Sequence, residues 1–444
     1  MFARAAGRFR GDQRFKWEMV VLACMYFGYA ALYMCRAVVV ISGPAMLEDP
    51  ELGMTKTIWG AIIGWGTAGT LMGKLANGVL ADRFGGRRVF MLSLGFCMLA
   101  TAVFGTMSGV LFFSGAYFLA LFAKSAGWPA MANLIRVWYP LNWRGRIWGI
   151  LSSSSRSSSL FTALALGSLL LVISWRAVIG VSVAITGGVL LVLFLFLRQS
   201  PADVGLEVAP SVDGDDPGNP HRLDDATLAE AMVSFVRSPR VWLICLSIMC
   251  LTVLMEFQSF IPIYLKETFG LTAGIAAITS SAFPLGCLIS VLVGGVVFDR
   301  LAKKTRIFVL GGLMLLAVAC VAVLLNLPGL GMTGTPGLWT ALLAIMCFGL
   351  AIAPCYYIPM SVFSVDFGGK HCGVLVGIID AVGYLAAMTF DFLGGAVADE
   401  ADGWHQFLMI LLGVSIVGFV TLSVFLFLEY RSQGGNEPGV TSPG

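Results

Sequence analysis

Twelve long apolar segments constrain this sequence more than any other feature. Each has roughly the 20 mostly apolar residues that a helix needs to cross a bilayer. The segments start near residues 19, 57, 89, 110, 149, 177, 241, 273, 307, 338, 372 and 405. Only 12% of the residues are charged, against about 25% in an average soluble domain. We therefore predict an all-α membrane protein with twelve transmembrane helices.

One long polar segment divides the twelve spans into two groups of six. It is rich in Asp, Pro and Gly, and it includes a candidate amphipathic helix from Asp224 to Arg237. We predict an N-terminal six-helix bundle over residues 1–198, a cytoplasmic linker over 199–240, a second bundle over 241–430 and a cytoplasmic tail over 431–444.

The distribution of Lys and Arg predicts the orientation, because short cytoplasmic loops retain positive charge. With the N-terminus inside, sixteen basic residues fall in short inner loops and three in outer loops. Both termini are then cytoplasmic. The sequence has no Asn-x-Ser/Thr glycosylation site, which favours a bacterial inner membrane.

A repeated loop motif relates the two halves. Gly78-Val-Leu-Ala-Asp82-Arg83 follows span two, and Gly295-Val-Val-Phe-Asp299-Arg300 follows span eight. Parallel repeats of this kind are typical of transporters in which two bundles enclose a central cavity. We predict that the motif latches the halves through its carboxylate and neighbouring bases. The predicted gating residues are Gly78, Asp82, Arg83, Arg87, Arg88, Asp299 and Arg300.

Four basic residues remain inside the apolar spans, and all of them lie in the N-terminal half: Arg36, Lys74, Lys124 and Arg156. An unpaired cation in a bilayer costs several kcal/mol, so each must face a wet cavity or a partner. We interpret them as binding an anion. Other interpretations stay open, since Lys74 could snorkel to the interface, Lys124 could neutralise a carboxylate, and the serines around Arg156 could serve helix packing.

The embedded acids lie in the other half, at Glu256 in span seven and at Asp380 and Asp391 in span eleven. We therefore predict a polarised cavity with one basic and one acidic wall. Glu256 and Asp380 are candidates either for proton binding or for pairing with the cations. Asp391 is about 16 Å further along its helix at 1.5 Å per residue, where it could be merely interfacial.

Several motifs resemble the organophosphate:phosphate antiporters of the major facilitator superfamily. Span one contains Phe27-Gly-Tyr29-Ala-Ala-Leu-Tyr33-Met-Cys-Arg36, and Gly73-Lys74, Gly127-Trp128-Pro129, Pro262-Ile-Tyr264-Leu-Lys266-Glu267 and Gly377-Ile-Ile-Asp380-Ala-Val-Gly383 follow in the family order. The resemblance covers nearly the whole chain. It implies the major facilitator fold, a phosphate-binding role for Arg36, and Tyr29 and Tyr33 beside it at the substrate site.

One departure from that family concerns span seven. The glycerol-phosphate type has a second phosphate-binding arginine there, whereas this chain reads Leu251-Thr-Val-Leu254-Met-Glu256-Phe, without a base. Arg156 could supply the second cation from the other half. With Glu256 and Asp380 opposite, a zwitterion such as a phosphocholine-like compound or an aminophosphonate stays open as the substrate, as does a carboxylate.

Three functions follow from these features. The first is a secondary transporter that exchanges a phosphorylated organic anion for inorganic phosphate by alternating access. The second is a proton-coupled symporter of an organic anion or zwitterion, and the third is a membrane sensor of such an anion. We expect no enzyme activity, catalytic residue, cofactor or metal. We expect a monomer whose partners are the lipid bilayer and a small anionic or zwitterionic substrate, with inorganic phosphate or protons as counter- or co-substrate, and no nucleic acid.

Overall fold

A computed structural model describes residues 13–206, 227–298, 301, 303–327, 329, 331–332 and 334–434. Twelve long helices make up most of the described chain. They are α1 Gln13–Glu48, α2 Lys56–Phe84, α3 Gly86–Thr106, α4 Val110–Trp138, α5 Leu141–Phe161, α6 Trp175–Phe196, α7 Pro239–Ser259, α8 Ala273–Gly294, α9 Lys303–Asn326, α10 Gly334–Gly368, α11 Cys372–Ala398 and α12 Gly403–Gly434.

Ten of these helices are long and apolar enough to span a membrane within the described residues, and the two others are α2 and α5. Both are long enough, but their composition is more polar. The interior of α2 is rich in Gly and Thr and carries Lys74, and α5 has seven serines around Arg156. The two helices that fall short in hydropathy therefore carry two of the four embedded cations.

Helix α5 begins at Leu141, several residues before the predicted start near Gly149. Arg144 accounts for the extension, because its guanidinium donates hydrogen bonds to the carbonyl oxygens of Tyr139 and Arg136, each at 3.1 Å. These carbonyls belong to the end of α4 and would otherwise lack partners. The polar first turns of α5 thus extend beyond its apolar segment.

The linker helix, in contrast, is shorter than predicted and covers Leu228–Arg237. Thr227 and Glu230 form a reciprocal cap at its N-terminus. Phe235 is buried, with its ring centroid 6.1 Å from that of Phe367 in α10. Asp224, where the predicted helix began, lies outside the described residues.

The two halves meet tightly at one end of the bundle. We call this the distal end; it carries the α1–α2, α7–α8 and α11–α12 connections, and the opposite end is the proximal end. At the distal end, a Cβ added to Gly60 of α2 would lie 2.5 Å from the Asp391 carbonyl oxygen and 2.7 Å from the Gly395 Cα of α11. Glycine is required because the two backbones touch.

The same helices separate toward the proximal end. A Cβ added to Gly78 of α2, Gly149 of α5 or Gly377 of α11 would have no atom within 4 Å. Among the described residues, the interface between the halves is therefore closed distally and open proximally.

Gly60→Ala should destabilise this distally closed arrangement, because the added methyl group would clash with backbone atoms of α11 that cannot rotate away. Overpacking of this kind costs about 1–3 kcal/mol. The melting temperature of the purified protein should fall accordingly. Gly180→Ala in α6 is the matched control, since its Cβ would meet open space. Equal melting temperatures for the two variants would contradict the close approach of α2 and α11.

Candidate functional site

An ion pair joins the halves deep in the bundle, between α1 and α7. Arg36 Nη2 lies 2.6 Å from Glu256 Oε2, and Ser259 Oγ donates to the same oxygen at 3.3 Å. The side chains are only 12% and 4% exposed. Such a pair is stable when the desolvated charges are matched and hydrogen-bonded. The charge of Arg36 is therefore balanced in this state.

A second ion pair joins α2 and α11. Lys74 Nζ donates to Asp380 Oδ2, and Tyr356 Oη donates to Asp380 Oδ1 at 3.4 Å. The ammonium also lies 4.9 Å from the ring centroid of Tyr384. The Lys74 side chain is 31% exposed, so this pair borders the proximal opening. It points across the cavity to α11 and does not snorkel toward the interface.

Lys124 has a tyrosine ring as its neighbour. It lies where α4 is interrupted at Ser125, and its Nζ is 4.5 Å from the ring centroid of Tyr33. The residue is only 4% exposed. None of the carboxylates in the described part of the chain forms a salt bridge with it.

Arg156 also contacts a tyrosine across the cavity. Its Nη2 donates to Tyr357 Oη in α10, and its Cζ is 5.5 Å from the Tyr357 ring centroid. The residue is 5% exposed, and its Nε has no hydrogen-bond partner among the described atoms. Arg156 therefore has no carboxylate partner among the described residues, and its guanidinium is only partly hydrogen-bonded.

The serines around Arg156 hold α5 in place and do not bind its guanidinium. Ser158 Oγ donates to the Ala30 carbonyl oxygen of α1 at 2.5 Å, and Tyr26 Oη donates to Ser157 Oγ at 3.1 Å. Ser154 Oγ donates to a carbonyl oxygen of its own helix. The small hydroxylated residues therefore allow α1 and α5 to pack closely.

A cavity of about 40 Å³ lies between Tyr33, Arg36, Ser159, Gln258 and Ser280. This is room for about one water molecule, whose share of liquid volume is about 30 Å³. An organic anion therefore needs the proximal opening, where Lys74 and Tyr357 are partly exposed.

The remaining acid, Asp391, is fully buried between the helices. Thr67 Oγ1 of α2 donates to its Oδ2 at 2.6 Å, whereas its Oδ1 has no partner among the described atoms. It belongs to neither of the two ion pairs.

The predicted residue Tyr29 packs behind the site. Its ring centroid is 5.1 Å from that of Tyr33 and 5.6 Å from that of Trp128. A Cβ at Gly127 would lie 3.0 Å from the Tyr29 ring. Tyr29 therefore supports Tyr33, and Tyr33 rather than Tyr29 lines the small cavity.

The predicted gating motif lies at the proximal end. The backbone N–H of Arg87 donates to Gln199 Oε1 at 2.7 Å, and the side-chain Nη2 of Arg87 donates to the Phe194 carbonyl oxygen at 3.3 Å. Arg83 Cζ lies 5.6 Å from the ring centroid of its neighbour Phe84. Gly78 and Arg88 lie at this end, in α2 and α3 respectively. The Asp82 side chain, Asp299 and Arg300 are outside the described residues, so the proposed latch stays a prediction.

Polar contacts that the sequence did not predict tie the halves together at the distal end. Lys56 Nζ is 2.9 Å from Glu267 Oε2, and Lys266 Nζ is 2.8 Å from Glu48 Oε1. Asp399, just after α11, accepts hydrogen bonds from the backbone N–H groups of Lys56 and Thr57 at 3.2 and 3.3 Å. One half thus caps the first helical turn of the other.

Asp399 is held in its ionised form by these contacts. Burial opposes ionisation, but hydrogen bonds from Thr57, Thr55 and Lys56 outweigh it and lower the Asp399 pKa below its ordinary value. The cap is therefore fully formed above the ordinary pKa of an aspartate, and it is lost only as the pH falls through the lowered value.

Sequence reasoning missed three tyrosines of the C-terminal half that contact the embedded charged residues. Tyr356 and Tyr357 lie in α10 between Pro354 and Pro359, and Tyr384 lies one turn beyond Asp380. Two adjacent tyrosines between prolines inside an apolar helix were the available signal.

Comparison with known proteins places this geometry in context. The sequence profile of the Major Facilitator Superfamily matches residues 25–390. A "Probable hexose phosphate transport protein" of Chlamydia muridarum is 25% identical, covering 91% of this chain and 90% of that protein. A "Probable sulfoacetate transporter" of Cupriavidus necator is 23% identical over 96% and 98% of the two chains.

Among solved structures, a bacterial homologue of the human lysosomal transporter Spinster, in an inward-facing and unoccupied conformation, superposes with a TM-score of 0.71. Its identity is 15%, and the match covers 97% of this chain and 100% of that one. The predicted twelve-helix fold of two bundles is confirmed. The sequence resemblance to phosphate-ester transporters is confirmed by the chlamydial relative.

Proposed function

This chain belongs to the Major Facilitator Superfamily, and we propose that it exchanges a small phosphorylated organic anion for inorganic phosphate. Like the hexose phosphate transport relative, it would bind a phosphate group at its embedded cations. Two rigid halves that meet at one end and open at the other suit alternating access.

The charge balance of the site carries the proposal. Four cations face two carboxylates across the cavity, and both carboxylates are taken by Arg36 and Lys74. Lys124 and Arg156 form no ion pair among the described residues, and each contacts a tyrosine ring. Two uncompensated positive charges match a phosphate monoester, which is close to a dianion at neutral pH.

The same balance explains why the transport is an exchange. Two buried charges without counter-ions are costly in a low-dielectric site, so an empty cavity resists being closed off on both sides. A bound dianion removes that cost. Inorganic phosphate offers the same oxygens to the same cations, so it can occupy the site on the return step.

The orientation belongs to the proposal as well. The excess of Lys and Arg in the proximal loops assigns the proximal end and both termini to the cytoplasm. The distal end then faces outward, in a bacterial inner membrane. We take the monomer as the functional unit, since each chain contains both walls of the cavity.

Phosphate exchange in proteoliposomes tests the proposal with inorganic phosphate as the probe. Radiolabelled phosphate should enter vesicles loaded with unlabelled phosphate and should fail to enter vesicles loaded with gluconate. A series of hexose phosphates added outside should then compete with phosphate for entry.

Uptake that requires a proton gradient and ignores internal phosphate would contradict exchange. That outcome would favour the proton-coupled symporter of an organic anion. The sulfoacetate transporter relative supports this second candidate, because a sulfonate with a carboxylate also carries two negative charges. Competition by sulfonates rather than by hexose phosphates would identify it.

A further inference from the structure

Asp391 occupies the centre of the contact that closes the distal end. It lies one turn before Gly395, which touches Gly60 of α2 through the backbone. The residue is 0% exposed. Its Oδ2 accepts the hydrogen bond from Thr67, and Oδ1 has no partner among the described atoms.

Among the described residues, no counter-ion forms a salt bridge with Asp391. Arg36 of α1 and Glu256 of α7 are near enough to influence it electrostatically, and they neutralise each other as an ion pair. From α4 it faces the hydroxyl of Tyr117, which is also buried without a described hydrogen-bond partner.

In the part of the chain that the structure describes, the other elements packed against Asp391 add no unpaired charge. On α2, Lys56 and Lys74 are paired with Glu267 and Asp380, and both are at least seven residues from Thr67. Helix α12 contributes the apolar ring of Phe407, whose centroid is 5.3 Å from that of Phe390, the residue just before Asp391.

An ionised carboxylate with one bare oxygen in such a site costs several kcal/mol. A proton on Asp391 removes that charge. We propose that Asp391 is a proton-binding site that must be filled before the distal halves of α2 and α11 can close. This inference rests on alternating access and not on the identity of the transported anion.

Protonation of Asp391 then controls whether the distal gate, the contact between the distal halves of α2 and α11, is open or closed. When α2 and α11 separate, water reaches Asp391, its O–H bond breaks and the proton passes to water on the distal side. Closure takes one proton back from that side. Because the closed carboxyl is fully buried, we expect the proton to return to the distal side rather than to cross the membrane.

Cysteine accessibility tests the switch without any substrate. Ala398 lies seven residues after Asp391, on the same face of α11, and is 0% exposed. Glu51, in the α1–α2 loop, is exposed. The A398C and E51C variants in right-side-out vesicles are labelled from outside with a membrane-impermeant maleimide over a range of external pH. The labelling rate of A398C is divided by that of E51C, which cancels the pH dependence of the maleimide reaction itself. The parent protein gives the background labelling of the native cysteines.

We expect the ratio to rise with external pH, because ionisation of Asp391 opens the gate. With Asp391→Asn added, the ratio should stay low at every pH, since asparagine is always neutral. A flat ratio in A398C, or an unchanged rise after Asp391→Asn, would overturn the proposal. Asp399 does not explain such a rise at mildly acid or neutral pH, because its pKa is lowered.

A second variant keeps the test independent of whether Asp391→Asn folds. Thr67→Val removes the hydrogen-bond partner of the closed, protonated carboxyl and so destabilises the closed state. The rise in labelling should therefore move to lower pH. A rise that stays at the same pH would show that the Asp391–Thr67 contact does not hold the gate. Loss of phosphate exchange alone would leave these labelling results unaffected, so the two proposals fail separately.

Discussion

Arg36→Lys should weaken phosphate binding and exchange severely, by roughly ten- to hundredfold, even though the lysine retains the positive charge. The guanidinium of Arg36 has five N–H donors, and its ion pair with Glu256 engages Nη2. A lysine can keep that pair but has no planar fork with which to bind two oxygens of an anion. Loss of one charge-assisted hydrogen bond costs about 1.5–3 kcal/mol, or roughly ten- to hundredfold in affinity. The concentration dependence of radiolabelled phosphate exchange measures this loss of affinity.

A paired design separates binding from folding for this residue. Arg36→Ala leaves the carboxylate of Glu256 buried without its cationic partner, with only the hydrogen bond from Ser259, and should therefore lower the melting temperature. The double variant Arg36→Ala with Glu256→Ala should recover stability but not exchange. Arg176→Lys is the matched control, because Arg176 binds only distal groups such as the Gly105 carbonyl oxygen. If Arg36→Lys exchanges phosphate at the parent rate, Arg36 does not bind the anion through its fork.

The sequence predicted the architecture well because the bilayer restricts what such a chain can form. Long apolar segments must become helices, since lipid offers no partner for backbone N–H and C=O groups. Helix ends were less predictable. Helix α5 begins at Leu141, where Arg144 makes polar contacts with the end of α4. A hydropathy pattern does not show such contacts.

For the site, the sequence identified which charges are embedded but not which of them pair. Arg36 and Glu256 are 220 residues apart, and Lys74 and Asp380 are 306 apart. Only packing of the two halves decides that these meet while Lys124 and Arg156 meet tyrosines. The distal contacts of Asp399 were missed for the same reason, since an exposed loop carboxylate has no distinctive sequence pattern.

The two ion pairs lower the net positive charge of the basic wall. Four embedded cations would overcompensate any common small anion, but two of them are balanced by Glu256 and Asp380. The ion pairs can then hold the halves together in the unloaded state. In the proposed exchange, an incoming anion would bind Lys124 and Arg156 and would compete with the carboxylates for Arg36 and Lys74. Substrate binding and the contacts between the halves would then share the same residues.

Arg156→Gln should weaken phosphate binding roughly ten- to hundredfold, as expected when a charge-assisted hydrogen bond worth about 1.5–3 kcal/mol is lost. One of the two uncompensated charges disappears, so the site no longer matches a dianion. Tyr357→Phe is the matched control, because it removes the hydroxyl that Arg156 contacts and keeps the charge. Its apparent affinity for phosphate, measured from the concentration dependence of exchange, should change far less. Equal losses in the two variants would mean that Arg156 acts by positioning Tyr357, and the charge balance would no longer support a dianionic substrate.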